Sequence, residues 1–355
     1  MPENPPSSFW QRAGGSLFVL LLAVLLPFGV GLLEGVSPAA VWSNNAGISK
    51  FVQGLAIEIF ILSLYALSFD LLFGITGLLS LGHSMFFAVG AYLTGALIKS
   101  FGFSLAETIA FVAVAALVQA LLFGLVLPRV KGITFALVTL GIGSVFHIII
   151  MSRELGDYTG ADVGLQGLVK PDFINPATER LNLYYIALLL LVLVYYLYKR
   201  FVDSPTGRVC LAIRENEGRA LMLGYNTFTF KLAALLLSSL TAALAGGLHA
   251  IYQPIVSPTI AGLGFTVTAL LIVLIGGVGT LQGAIVGAVV YRLLDFGLRR
   301  YMGESASFVN GIIYVLIVLF LPYGIVGTWR LQAAGFKQGW DRLGRTLRAQ
   351  SEPRT

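Results

Sequence analysis

Three groups of residues have types and spacings that could do chemistry. In the first, Gly74-Ile75-Thr76-Gly77-Leu78-Leu79-Ser80-Leu81-Gly82-His83-Ser84, glycines, hydroxyls and an imidazole interrupt an apolar stretch. The second runs from Asp203 to Gly224 and carries Arg208, Arg214, Glu215, Glu217 and Arg219 between a Ser204-Pro205 start and a Gly224 stop. The third is a scatter of acids and bases inside apolar runs: Glu58, Asp70, Arg292 and Asp295. None of these is a metal or nucleophile constellation. His83, His147 and His249 lie far apart, and Cys210 is the single cysteine. No catalytic residue, metal site or cofactor is expected. Nor does GxxxxGK followed by Ser or Thr occur anywhere, so the chain has no phosphate loop of its own.

What such residues can do depends on the medium. Hydrophobic residues make up 57% of the 355 and charged residues 11%, against roughly 25% charged in a soluble domain. A soluble fold could not cover its surface with so few charges, so the medium is lipid. The charge-free runs agree. No Asp, Glu, Lys or Arg lies between Arg12 and Glu34, Glu107 and Arg129, Lys131 and Arg153, or Arg180 and Lys199. Sixty residues separate Lys231 from Arg292 without one formal charge. At about 1.5 Å per residue, and with a hydrocarbon core of about 30 Å, that stretch amounts to roughly three spans. It is broken at Pro254, Pro258, Gly276-Gly277 and Gly279.

These patterns predict an all-α, polytopic membrane protein with about ten spanning or re-entrant segments. They fall near 16–33, 51–74, 77–98, 106–128, 132–151, 181–199, 231–252, 263–277, 283–300 and 307–326. The run after Arg12 is longer than a signal-peptide core, which favours a retained first span. The net charge of +6 could suggest nucleic acid, but its distribution fits membrane topology better. With both termini cytoplasmic, fifteen Lys and Arg fall inside and seven outside, with Arg292 left within a span. This predicts a cytoplasmic N-terminus over 1–15, a membrane-embedded domain over 16–326 and a basic cytoplasmic tail over 327–355. The acidic stretch 152–180 becomes an external loop, and 200–228 a cytoplasmic one. A faint internal echo joins Gly74-Ile75-Thr76-Gly77-Leu78 to Gly277-Val278-Gly279-Thr280-Leu281, and each leads into a small-residue helix, as in transporters built from repeats.

In lipid the three groups acquire meanings. Irregular backbone at membrane depth is tolerated only against protein or a water-filled path. Gly77, Ser80, Gly82, His83 and Ser84 are therefore candidates for a turn bordering a solute route. The alternative is a loop whose glycines allow close helix packing. The 204–224 stretch reads as a short amphipathic helix with Ala212, Ala220, Leu221 and Leu223 opposite its charges. It is marginal alone, so it needs a surface to dock on. Arg292 and Asp295, three apart, are placed to pair. Asp70 and Glu58 are candidates for structural hydrogen bonds or pairing.

The stretch Asp70 to Tyr92, "DLLFGITGLLSLGHSMFFAVGAY", resembles a signature of the permeases of high-affinity branched-chain amino-acid ABC importers. "SPTGRVCLAIRENEGRALMLGYN" resembles that family's ATPase-contacting loop, a variant of the EAA loop. "GLQGL" (164–168), "LIGGVGTLQGAIVGA" (274–288) and "LPYGIVG" (321–327) follow in the family's order. Together they cover most of residues 51–330 and look most like the longer of the two paired permease types. Gly218-Arg219 departs from the commonest loop pattern, which has an apolar-Ala pair. The resemblance implies an inner-membrane permease for branched-chain amino acids. Its expected partners are a homologous second permease, two cytoplasmic ATPases and a periplasmic substrate-binding protein. It also assigns Arg208, Arg214, Glu215, Glu217, Arg219, Ala220 and Gly224 to the ATPase contact. Related permeases handle urea or short amides, which is the close alternative. A stand-alone secondary transporter or channel is the alternative of another class, but it would leave the basic loop unexplained.

Overall fold

The computed structural model describes residues 9–329 except 43, 45, 46, 128, 131 and 169. The expected basic tail lies outside them from residue 330 onward. In chain order the helices are α1 (Phe9–Leu33), α2 (Pro38–Trp42), α3 (Gly47–Asp70), α4 (Ser84–Phe101), α5 (Leu105–Gly124), α6 (Ile133–Met151) and α7 (Gly156–Thr159). They continue with α8 (Arg180–Asp203), α9 (Pro205–Met222), α10 (Thr227–Tyr252), α11 (Leu263–Gly276), α12 (Leu281–Met302) and α13 (Ala306–Phe320). Eight apolar stretches are long enough to cross a membrane, and two shorter ones, Val19–Leu33 and Leu263–Gly276, bring the described residues to ten. The all-α polytopic architecture read from the charge-free runs is the one observed.

Local chemistry explains several boundaries. At the start of α5, Ser104 accepts from the Glu107 N–H while the Glu107 carboxylate takes the Ser104 N–H at 2.8 Å, a reciprocal cap. Pro27 lies inside α1 and cannot donate to the carbonyl four residues back. That carbonyl, on Ala23, instead accepts the Tyr184 hydroxyl from α8. The neighbouring Val24 carbonyl takes Tyr185 at 3.0 Å. A proline is thus tolerated in a span because a second helix supplies the missing donors.

Helix α3 is the hub, with 72% of its spanning window buried against 17% for the last span. It packs against α1, α8, α10, α11 and α12. Helices α4 and α10 cross closely through small residues. A Cβ on Gly90 would overlap the Ala243 carbonyl, and one on Gly246 the Phe87 carbonyl. At one end of the bundle, β1 (Leu165–Gln166) and β2 (Ile255–Val256) pair antiparallel. Lys99 donates to the Gln166 carbonyl at 2.7 Å, and Lys170 reaches the Tyr252 and Gln253 carbonyls at 3.3 and 3.1 Å. These contacts fasten the acidic loop over that end.

The expected segment 77–98 starts later, at Ser84. After α3 comes one π-helical turn, Leu71–Ile75, and then an extended stretch back into the bundle. The reason is local. Gly77 turns the chain with φ +77°, and a Cβ on Gly82 would overlap the Thr139 carbonyl of α6, so the backbone here is clamped rather than coiled.

Candidate functional site

At the opposite end of the bundle, the two glycine turns that echo each other in sequence touch. Asp70 ends α3 and accepts the Gly279 N–H on Oδ1 at 2.7 Å. Gly74 must lack a side chain, because a Cβ there would meet both the Asp70 carboxylate and the Gly279 nitrogen. The π turn is tied off by Thr76, whose hydroxyl donates to the Leu71 carbonyl at 2.9 Å, and by the Leu78 N–H on the Leu72 carbonyl at 2.8 Å. Arg214 of α9 donates to the Gly74 carbonyl. Its backbone and stem also lie against the Cα of Gly77, where an added Cβ would sit 3.2 Å from them. Asp70 is 0% exposed, and its Oδ2 has no hydrogen-bond partner. Asp70, the glycine turn and the basic helix, read separately from the sequence, thus form one junction. Gly279, noted in the sequence as a break and as part of the second glycine turn, supplies its key backbone donor.

Helix α9 starts as its sequence signals promise. Ser204 accepts from the Gly207 N–H at 3.3 Å, with Pro205 in the first turn. Gly224, at φ +85°, closes its far end, where the Tyr225 N–H returns to the Ala220 carbonyl. The helix breaks once. Asn216 is extended (φ −160°, ψ 100°), and its side chain accepts the Arg219 N–H at 3.0 Å, capping a second short helix. This break corrects the expected apolar face. The buried side is Gly207, Cys210, Ile213 and Ala220, whereas Ala212, Leu221 and Leu223 are exposed. Arg208, Glu215 and Arg219 share the exposed side. Glu217 turns back to pair with Lys231 at 2.6 Å and to accept from Thr227 at 3.0 Å. Burial pushes the Cys210 thiol up to about 11.

The second half of the glycine motif is enclosed. His83 is 0% exposed and packs against the rings of Tyr65, Phe69 and Phe86 at 5.3 to 5.5 Å. Its Nε2 lies 2.9 Å from Ser68 Oγ. Ser68 already donates to the Tyr65 carbonyl at 2.6 Å, so the shared proton belongs to His83. Ser84 donates to the Ala261 carbonyl and takes its own N–H bond to Thr266, both at 3.0 Å. Ser80 Oγ is buried without a partner. In this conformation Ser80, Gly82, His83 and Ser84 are covered by protein whereas Gly77 is exposed, and none of the five lines the cavity beside Glu58 or the one beside Thr94.

A third cluster sits nearer the middle of the bundle. Arg292 pairs with Asp295 at 3.1 Å, as the spacing suggested, and also with Glu58 of α3. Arg299 adds a 2.7 Å bond to Asp295, and Asn310 of α13 donates to the same carboxylate at 3.2 Å. Arg299 is not among the residues singled out from the sequence. Its four-residue spacing from Asp295 on one helix was the available signal. Among the described residues no cluster of His, Cys, Asp and Glu could hold a metal ion.

A hub-and-shell bundle of apolar helices, with polar backbone breaks covered by protein and one amphipathic helix docked at its end, defines a polytopic membrane permease. A family model described as "Branched-chain amino acid transport system / permease component" matches residues 51–321, and this chain belongs to that family. The high-affinity branched-chain amino acid transport system permease protein LivM of Escherichia coli is 28% identical over 309 residues, covering 80% of this chain and 72% of the relative. The high-affinity branched-chain amino acid transport system permease protein LivH of Salmonella typhimurium is 23% identical over 286 residues, covering 75% of this chain and 91% of the relative. A probable LivM of Methanocaldococcus jannaschii is 26% identical over 180 residues, covering 46% and 52%. No solved structure gives a significant match.

Proposed function

We propose that this chain is a permease subunit of an ABC importer that moves branched-chain amino acids across a bacterial inner membrane. A homologous second permease completes the pore, two cytoplasmic ATPases supply the energy, and a periplasmic binding protein delivers solute. The chain itself hydrolyses no ATP. Both termini and α9 face the cytoplasm, and the loop 152–180 faces the periplasm, an orientation supported by the Lys and Arg distribution. The observation that carries the reading is α9. One side of it docks on the glycine turns through Arg214. Its end presents Leu221, Met222 and Leu223 at 47, 87 and 76% exposure, an apolar tip suited to a partner groove.

The test is co-purification and uptake. Met222→Asp should release the ATPase from the purified complex while the permease remains in the membrane. Reconstituted wild-type complex should take up leucine in preference to urea or acetamide. Retention of the ATPase by Met222→Asp would sink the docking assignment, and uptake of urea instead would sink the solute.

A further inference from the structure

Ionised side chains within an apolar span are costly unless they face protein or water. In this chain the side chains of Glu58, Arg292, Asp295 and Arg299 are 22, 21, 14 and 62% exposed, so its own helices cover them incompletely. Glu58 also forms one wall of a notch of about 100 Å³, whose other walls are Ile61, Leu62, Phe87, His249, Gln253 and Phe265. Four helices, α3, α4, α10 and α11, meet there or at its rim. A second hollow, about 320 Å³, is lined by aliphatic side chains, glycine and a single Thr94, a surface that lipid tails satisfy. The notch differs because it sets an apolar wall beside a carboxylate, an imidazole and an amide.

The carboxylate has capacity to spare. Both Arg292 contacts fall on Glu58 Oε2, and among the described residues no donor reaches Oε1. Arg292 directs Nε and Nη2 at Glu58 and Nη1 at Asp295, which uses three of the five guanidinium protons. A cation site and an anion site therefore stand side by side next to an aliphatic-sized recess. A dry cavity of about 150 Å³ takes up benzene, so this recess suits a short branched chain better than a ring.

We propose that the notch is a transit subsite for a zwitterionic amino acid. The aliphatic side chain rests in the recess against Leu62 and the packed rings of Phe87 and Phe265, the ammonium on Glu58 and the carboxylate on the guanidinium of Arg292, which pairs with Glu58 outside the recess's own walls. This rests on the permease reading above and places the solute contact outside the glycine motif. It also explains why charges at this depth are left partly open: the face borders a water-filled route.

The experiment uses the assembled importer with its second permease, ATPases and binding protein, reconstituted in liposomes. Glu58→Gln keeps the side chain's size and removes its charge, and leucine uptake by the assembled variant should fall at least roughly tenfold. Leu62→Cys in a Cys210→Ala background reads water access with Glu58 intact. A small charged thiol reagent should label it, and saturating leucine with the binding protein should slow that labelling. Wild-type uptake by an assembled Glu58→Gln complex overturns the subsite, and so does a Leu62→Cys protein that stays unlabelled. Should Glu58→Gln fail to assemble, the labelling arm decides alone. If the wild-type complex takes up no leucine while Leu62→Cys still labels, the branched-chain reading has failed and the open notch stands.

Discussion

Two polar regions lie within the apolar bundle, and the protein treats them differently. Around Asp70, Ser68 and His83 the polar atoms are fully enclosed, and most are bonded to backbone: Gly279 N–H on Asp70, the Tyr65 carbonyl under Ser68, the Ala261 carbonyl under Ser84. Around Glu58 and Arg292 the bonds run between side chains, and each group keeps part of its surface open. Backbone partners fix a position, because moving either member distorts a helix or a turn. Side-chain partners can be exchanged for a passing ligand at the same depth. The enclosed region therefore holds the bundle's breaks in place, and the open one is the face at which the proposed exchange with a solute would occur. Polarity at membrane depth does not by itself mark a route; how it is satisfied does.

The harshest way to break this comparison is Gly82→Leu. A Cβ at Gly82 would overlap the Thr139 carbonyl of α6, and backbone cannot yield as a flexible side chain does. We expect the complex to fail to assemble, a loss of several kcal/mol, about 3 or more, of the kind overpacking at a close approach produces. Yield of detergent-purified complex measures it. Normal yield would show that the extended stretch moves freely, and the enclosed region would then no longer count as a fixed one.

Arg214→Ala is milder and sharper. It removes the donor to the Gly74 carbonyl but leaves the Asp70–Gly279 bond and the buried side of α9 in place. Folding should survive. Leucine uptake per ATP hydrolysed should drop about tenfold, equivalent to about 1.4 kcal/mol of lost coupling between α9 and the two turns. Parallel assays of ATP hydrolysis and uptake give the ratio. An unchanged ratio would mean that the junction is only packing.

Much of this was legible in the sequence, for reasons that also mark what was not. Charge-free runs report lipid directly, so ten apolar helices could be counted, and α11 and α12 lie within two residues of their expected bounds. Ser204-Pro205 and Gly224 announced α9 because caps are local chemistry. Asn216 did not announce its break, since an asparagine in a charged helix is unremarkable until its side chain is seen to cap Arg219. The contact of Asp70 with Gly279 spans 209 positions, and no periodicity encodes it. The echo between the two glycine turns hinted at a relationship but not that they touch. The glycine motif drew attention as a possible route because it was polar. Only the packing of Tyr65, Phe69 and Phe86 around His83 reveals that its polarity is spent inward.

His83→Leu should have the smallest effect and is the most direct test of the contrast. The substitution deletes the 2.9 Å contact with Ser68 Oγ, but Ser68 keeps its own donor bond to the Tyr65 carbonyl, so no buried proton is orphaned. It also removes Nδ1, a buried atom with no partner, and puts an aliphatic group among three aromatic rings. The net change is one hydrogen bond of about 1 kcal/mol, offset by the lost desolvation of the imidazole. Complex yield and leucine uptake should both stay within about fivefold of wild type, since about 1 kcal/mol is roughly a factor of five in any equilibrium it touches. Glu58→Gln, by contrast, should lose uptake with assembly intact. An assembled His83→Leu complex whose uptake collapses would reverse the assignment, because a side chain that only packs cannot slow turnover without weakening the fold. In that case the aromatic cluster opens during the cycle and His83 meets the solute in a conformation other than this one.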